Sequence, residues 1–348
     1  MARNRETNGT ISMTGRQRVT QVLNAQQVDR LPILPMLHTG LVPLFRVSLG
    51  DFFTKADVMA QVMIGGYHHF GFDGVQLSLG VTGEAEALGA HVEQPADTAP
   101  VLKEYLLTDL GNLGRLRQQD PTVGGRMPLF FDAVEKVVRE IGDEAFILAT
   151  LRGPLLTASQ LRGVEQTLID TIERPKELAE VLDFTTEIIL KLGRWLLASG
   201  AHGLLLGEAT CSPNVISPPM YRELVLPHHQ RLVNGLKKAQ WKTIGMHICG
   251  DTAPIIKDII STGADFMDVD YQVPVEEALD LAAGRIVFRG NLDPSSVFRF
   301  GTSEDVRSAA EAVCKAVGNT GWIMSSGCDI PPGTPAENIA AFVETVVG

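Results

Sequence analysis

Residues 243–270 read TIGMHICGDTAPIIKDIISTGADFMDVD. A short apolar run, Thr243 to His247, leads through a few polar and glycine residues into an amphipathic run, Ala253 to Ser261, and then into a second apolar run, Phe266 to Val269. Near-continuous apolar character suits a strand buried on both faces, and the amphipathic stretch suits a helix laid over it. The segment therefore reads as one βαβ unit of a parallel sheet.

The same alternation recurs in both directions along the chain. Further strands are expected at Leu31 to Met36, Gly74 to Leu79, Phe146 to Thr150, Gly203 to Leu206, Ile286 to Arg289 and Trp322 to Ser325, which makes eight with the two above. Amphipathic runs between them include Lys55 to His69, Leu129 to Ile141, Glu177 to Ala198, Pro219 to Lys238 and Ser303 to Val317. Eight such units in an α/β chain predict a (β/α)₈ TIM barrel, here one domain over residues 13–348 with an N-terminal helical extension and a loose tail over residues 1–12. Val101 to Pro128 breaks the rhythm and reads as an insertion between the second and third strands. Thr334, Pro335 and Glu337 combine a capping hydroxyl, a first-turn proline and a capping-box carboxylate, and so mark the start of the last helix.

With 348 residues, 45% of them hydrophobic, the chain can bury one large core, and no Ser/Gly-rich linker divides it. A formal net charge of −11 argues against binding to nucleic acid or to an anionic membrane surface. Four cysteines are too few for a disulfide framework, and neither a spanning apolar run nor a signal peptide is present, so a cytoplasmic protein is expected.

Active sites of such barrels lie where strands end. The strand at 243–247 runs out through His247-Ile248-Cys249, and residues two apart on an extended chain share a face, so the imidazole and the thiol can converge. Cys328, after the last strand, emerges at the same rim, and Cys211, after the fourth, competes with it as a third ligand. One imidazole and two thiolates are a zinc set, and three protein ligands leave a tetrahedral position open for chemistry. The plainer reading is that cysteines are often simply buried and that a strand-end histidine caps a carbonyl. That plainer reading is kept for Cys314, on the apolar face of a helix, and for His68, His69, His228 and His229, read as ordinary surface or packing residues. Glu208, Asp268 and Asp270 also close strands; they are expected to flank the metal, to orient His247, or merely to satisfy loop amides. Gly290-Asn291-Leu292-Asp293-Pro294 reads as a rim turn able to hold an anionic substrate tail.

MHICGDT at 246–252, RGNLDP at 289–294 and SSGCDIPPGTPAENI at 325–339 resemble the uroporphyrinogen decarboxylase superfamily, within it the zinc-dependent methylcobamide:coenzyme M methyltransferase branch. TGRQRVTQVLNAQQVDRLPILP at 14–35 and VISPPMYRELVLPHHQRLV at 215–233 extend the likeness over nearly the whole chain from Met13. The resemblance implies a zinc site at His247, Cys249 and Cys328, which favours Cys328 over Cys211. It also implies a methyl group moved from a methylcorrinoid (methylcobalamin) on a small partner protein to a coenzyme M-like thiol. The reverse traffic, from an amine, ether or thiol donor to the corrinoid, is the alternative. Decarboxylation of uroporphyrinogen fits less well, because the arginine-containing segment of those enzymes is replaced by Met36-Leu37-His38-Thr39-Gly40. Apolar patches on the outer helices leave a homodimer open.

Overall fold

The computed structural model describes residues 13–318 and 321–348, and the expected tail over residues 1–12 lies outside them. Among the described residues nine strands are formed: β1 Gly74–Leu77, β2 Val92–Glu93, β3 Val101–Leu102, β4 Phe146–Arg152, β5 Gly203–Gly207, β6 Ile244–His247, β7 Phe266–Val269, β8 Val287–Leu292 and β9 Trp322–Ser326. Seven of them make one parallel sheet in the order β1-β4-β5-β6-β7-β8-β9, curled with helices outside it. β2 and β3 pair as a separate antiparallel ribbon, so the insertion expected from Val101 begins a few residues earlier.

The expected first strand, Leu31 to Met36, is reduced to a single parallel bridge between Ile33 and Met324. Pro32 and Pro35 explain this, since neither has an N–H to donate to a ladder. The segment still closes the barrel. On one side Met324 N donates to Pro32 O (2.8 Å) and Leu34 N to Met324 O (3.1 Å), and on the other Asp73 N donates to Ile33 O (2.8 Å).

Strand alternation divides the barrel interior into layers. Leu34, Phe146, Leu148, Leu205, Phe266, Val287 and Ile323 form an apolar inner core, sealed at the strands' N-terminal ends by Val19 and Val22 of the helix Gly15–Leu23. Each such side chain contributes roughly 1.5–3 kcal/mol by leaving water. Two residues beyond Leu148, Phe266, Val287 and Ile323 the same strands carry polar residues, Thr150, Asp268, Arg289 and Ser325. Register places Thr150 beside Leu205, His247 beside Gly207 and Asp268, and Arg289 beside Asp268. A dry floor therefore carries a polar layer at the C-terminal mouth.

The helix Gly15–Leu23 starts with a capping box between Thr14 and Gln17. It is clamped by Arg18, whose guanidinium pairs with Asp29 (2.6 Å) and with Asp73. Asp73 also accepts from Ile33 N (2.7 Å) and Arg30 (2.6 Å), which ties the barrel-closing segment to the same anchor. The last helix, Ala336–Val347, is not capped by Thr334 as expected. That hydroxyl turns back to donate to Pro331 O (2.8 Å), because Pro335, not Thr334, occupies the cap position. No helix among the described residues is long and apolar enough to cross a membrane.

Candidate metal centre

β6 ends at His247, and the extended chain carries Cys249 back to the same side two residues later. Gly250 then turns the backbone away at a φ of +87°, a conformation an L side chain resists. Cys328 enters from the loop after β9. The three ligand atoms form a triangle: His247 Nε2 to Cys249 Sγ 3.0 Å, Cys249 Sγ to Cys328 Sγ 3.7 Å, and Cys328 Sγ to His247 Nε2 3.9 Å. Tetrahedral zinc with Zn–S of about 2.3 Å and Zn–N of about 2.0–2.1 Å requires edges of roughly 3.8 Å between sulfurs and roughly 3.5 Å between sulfur and nitrogen. The donor set and its spacing fit that ion.

The three side chains differ in their electrostatics. Hydrogen bonding from Cys249 pulls the Cys328 thiol down to about 4 against its burial, while Cys249, facing that thiolate, is pushed up. Burial opposes a charge on His247, but the Cys249 sulfur and Asp268 outweigh it and hold the imidazole well above its ordinary range. Only the Cys328 sulfur is thus favoured as a thiolate without a cation; zinc ligation would require Cys249 to release its proton as well.

Asp268 stands behind His247, its Oδ2 3.0 Å from Nδ1. It is itself gripped by both arms of Arg289, at 2.7 Å each. Burial pushes the Asp268 carboxyl up, but Arg289 and His247 together bring it below the usual range. Asp270 accepts from Gly250 N (3.0 Å) and Gln272 N (3.1 Å) and so pins the turn after Cys249. Neither aspartate lines the cavity.

Two expectations need correction. The stretch from Gly290 is not a rim turn, because β8 continues to Leu292, and Asn291 uses its amide to donate to Val273 O (2.9 Å) inside the wall. Asn291 is buried there and does not line the cavity. Cys211 is not a rival ligand for His247. It belongs to a second group with Glu208 and His229, all fully buried. There Glu208 accepts from Leu155 N (2.9 Å) and Leu156 N (2.8 Å), in the first turn of the helix Pro154–Arg162, and bonds His229 Nε2 (2.9 Å). His229 Nδ1 meets the Tyr221 hydroxyl at 3.0 Å, so of the two expected settings, surface or packing, this histidine takes the buried one. His68 and His69 are exposed as expected, and Cys314 packs partly buried against the core.

The ligands lie in a cavity of about 390 Å³ at the barrel mouth. Met36, Phe53, Val81 and Leu205 supply apolar wall, and Glu208 also borders it. Further polar residues line it that sequence reading passed over, among them Arg152, His38 and Asp329. Asp329 accepts from Thr39 Oγ1 (2.6 Å) and lies 3.2 Å from His38 Nδ1, which joins the loop after Cys328 to the loop after the barrel-closing segment. Arg152 was legible in principle, since Leu148, Thr150 and Arg152 alternate inward on β4.

Fold and site define a parallel α/β barrel whose mouth brings together one histidine and two cysteines in an arrangement that could hold a metal ion. The chain belongs to the uroporphyrinogen decarboxylase (URO-D) family, whose model matches residues 14–348. It is 27% identical to a methylcobamide:CoM methyltransferase, MtbA, of Methanosarcina mazei over 95% of this chain and 97% of that protein. It is 25% identical to a uroporphyrinogen decarboxylase of Nostoc punctiforme over 91% and 92% of the two chains. Among solved structures, a methyltransferase from Methanosarcina mazei superposes with a TM-score of 0.89 at 22% identity, covering 96% of this chain and 98% of that one, which establishes the shared fold.

Proposed function

We propose that this chain is a zinc-dependent methyltransferase that passes a methyl group from a methylated corrinoid, carried by a separate small protein, to the thiol of a small acceptor. The observation that carries the reading is the convergence of His247 Nε2, Cys249 Sγ and Cys328 Sγ to within 3.9 Å of one another, at a cavity on the barrel's C-terminal mouth. The resemblance to methylcobamide:CoM methyltransferases over nearly the full length of both chains supports the same choice of substrates. The decarboxylase relatives do not explain the ligand triangle.

His247, Cys249 and Cys328 would hold the zinc ion, which when bound supplies the Lewis acidity that keeps a substrate-derived thiol deprotonated near neutral pH, against an ordinary thiol pKa of about 8.5. The protein's own part is positioning. Asp268, 3.0 Å from His247 Nδ1, backs the imidazole with negative charge, Arg289 fixes Asp268, and Asp270 fixes the turn that presents Cys249. Apolar wall around the mouth excludes water from the reacting sulfur. Overall, methylcorrinoid and thiol give methyl thioether, a corrinoid that keeps the electron pair of the broken cobalt–carbon bond, and a proton.

The experiment is metal analysis of the purified chain and of Cys249→Ser, paired with thiol-dependent loss of methylcobalamin absorbance. One zinc per wild-type chain, lost together with turnover in the variant, is the expected result. A wild-type chain that takes up no stoichiometric zinc overturns the reading. Methyl donors consumed by reduced corrinoid, with no thiol-dependent demethylation, would instead assign the reverse direction.

A further inference from the structure

The four cysteines of this chain differ in what an oxidant would find. Cys249 Sγ and Cys328 Sγ are in contact at 3.7 Å. Both side chains are half-buried and line the cavity at the barrel mouth, so a small solute entering there meets the two sulfurs together. β6 ends at His247 and β9 at Ser326, so each cysteine sits on the loop beyond its strand, outside the paired register of the sheet. The other two cysteines are out of play. Cys211 is fully buried, and that burial, with the Glu208 carboxylate beside it, holds its thiol well above the ordinary range. Cys314 lies on the outer helix Ser303–Val317, packed partly against the core and pushed up by burial in turn. Since the thiolate is the reactive form of cysteine, neither competes with the pair at the mouth.

A disulfide sets its sulfurs about 2.05 Å apart, so closing the 3.7 Å contact takes about 1.7 Å, shared between two side chains on loops. Tetrahedral zinc holds the same two sulfurs roughly 3.8 Å apart and needs both as thiolates. Sulfurs joined to each other carry no charge for a cation. The metal-bound and the disulfide arrangements therefore exclude one another, and both start from the spacing this structure shows.

We propose that Cys249 and Cys328 are a redox-modification site, joined in a disulfide by a hydroperoxide when no zinc is bound and restored by a reducing thiol. The step balances with hydrogen peroxide as the oxidant. The thiolate of one cysteine attacks a peroxide oxygen, the O–O bond breaks, and the departing hydroxide takes up a proton as water, which leaves a sulfenic acid. The sulfur of the other cysteine attacks the sulfenyl sulfur, the S–O bond breaks, and a second water departs as the S–S bond forms. Two thiols lose two electrons in all, and the peroxide gains them. Reversal by exchange consumes two molecules of a small thiol, which leave as their own disulfide. The disulfide is a claim about two sulfurs alone. Its consequence, a methyl-transfer site shut while the thiol pool is oxidised and reopened when reduced thiol returns, rests on the proposed function.

The test is thiol alkylation with peptide mass spectrometry on the full chain, stripped of metal with a chelator and exposed to hydrogen peroxide, before and after dithiothreitol. Loss of two of the four thiols is expected, with one linked pair of peptides carrying Cys249 and Cys328 and full recovery on reduction. The linked chain is expected to take up no zinc, and the reduced chain to take it up again, as read by a chromogenic chelator. Loss of no thiol, a link through Cys211 or Cys314, or irreversible oxidation of single thiols without a link overturns the proposal. So does a linked chain that still takes up stoichiometric zinc. Cys328→Ser is expected to give no link and to leave Cys249 as an alkylatable thiol or a sulfur oxyacid; a link that persists in this variant overturns the assignment. Stoichiometric zinc in the reduced chain, with no link under peroxide, would sink the modification site while the zinc-dependent methyl transfer stood. A reversible Cys249–Cys328 link in a chain that takes up no zinc even when reduced would sink the methyl transfer while the modification site stood.

Discussion

Asp268→Asn is the substitution that separates the two tasks of one buried carboxylate. Asp268 lies 3.0 Å from His247 Nδ1 on one side and receives both arms of Arg289 on the other. An asparagine of the same shape keeps one acceptor oxygen, removes the negative charge, and leaves the fully buried Arg289 guanidinium without a counterion. Breaking a buried pair in this way costs about 3–5 kcal/mol of stability. Loss of the carboxylate behind a metal-ligating histidine weakens zinc roughly 10- to 100-fold, equivalent to about 1.4–2.7 kcal/mol. Urea unfolding measures the first quantity and competition with a chromogenic chelator the second. Adding Arg289→Met removes the orphaned charge, so the double variant is expected to recover most of the stability and little of the zinc affinity. If zinc affinity returned together with stability, Asp268 would act only by holding Arg289, and the orientation of His247 would not depend on it.

Three further outcomes follow from other parts of the molecule. Arg18→Met leaves Asp73 buried between Arg30 and Ile33 N with its main partner gone; a loss of about 3 kcal/mol or more in urea unfolding is expected, and a midpoint within error of wild type would contradict the anchoring role. His202 is pushed down to about 4 by burial, helped by Arg16 against Asp143, and its Nδ1 accepts from Ile147 N (3.0 Å). The unfolded chain therefore binds this proton first, so the contribution is complete above about pH 6.5 and is lost as pH falls from there toward 4; at most about 3 kcal/mol is involved. Unfolding midpoints of His202→Gln should fall less steeply than wild type across that window, and parallel curves would refute the assignment. Gly250→Ala places a β-carbon 2.7 Å from Ser212 Oγ at a φ of +87°, costing about 1–2 kcal/mol and displacing Cys249; undiminished zinc affinity would show that the turn is not needed.

The barrel was legible because its signal is local. Seven of eight expected strands form within a few residues of the expected bounds, since a strand buried on both faces announces itself in its own composition. The eighth, Leu31 to Met36, keeps its place but not its ladder, and Pro32 and Pro35 already carried that information. His247 and Cys249 were readable from spacing of two on a strand, and Cys328 from its place after the last strand, with resemblance deciding between it and Cys211. What stayed hidden depends on contacts between distant segments. That Glu208 and His229 bond each other, 21 residues apart, cannot be seen in either segment. Asn291 looked like a loop residue because Gly290 and Pro294 flank it, whereas tertiary pairing of β8 with β9 carries the strand through to Leu292. Arg152 was missed for a different reason: one arginine at a strand end is unremarkable until the folded barrel brings it to the wall of the cavity.

X-ray absorption at the zinc edge, recorded with and without a thiol acceptor, tests the metal centre most directly. Two sulfur neighbours and one imidazole nitrogen from the protein are expected in the resting chain, with a third sulfur at about 2.3 Å on adding thiol. A sulfur count that stays at two when the thiol saturates the protein would contradict direct activation of the acceptor at this site.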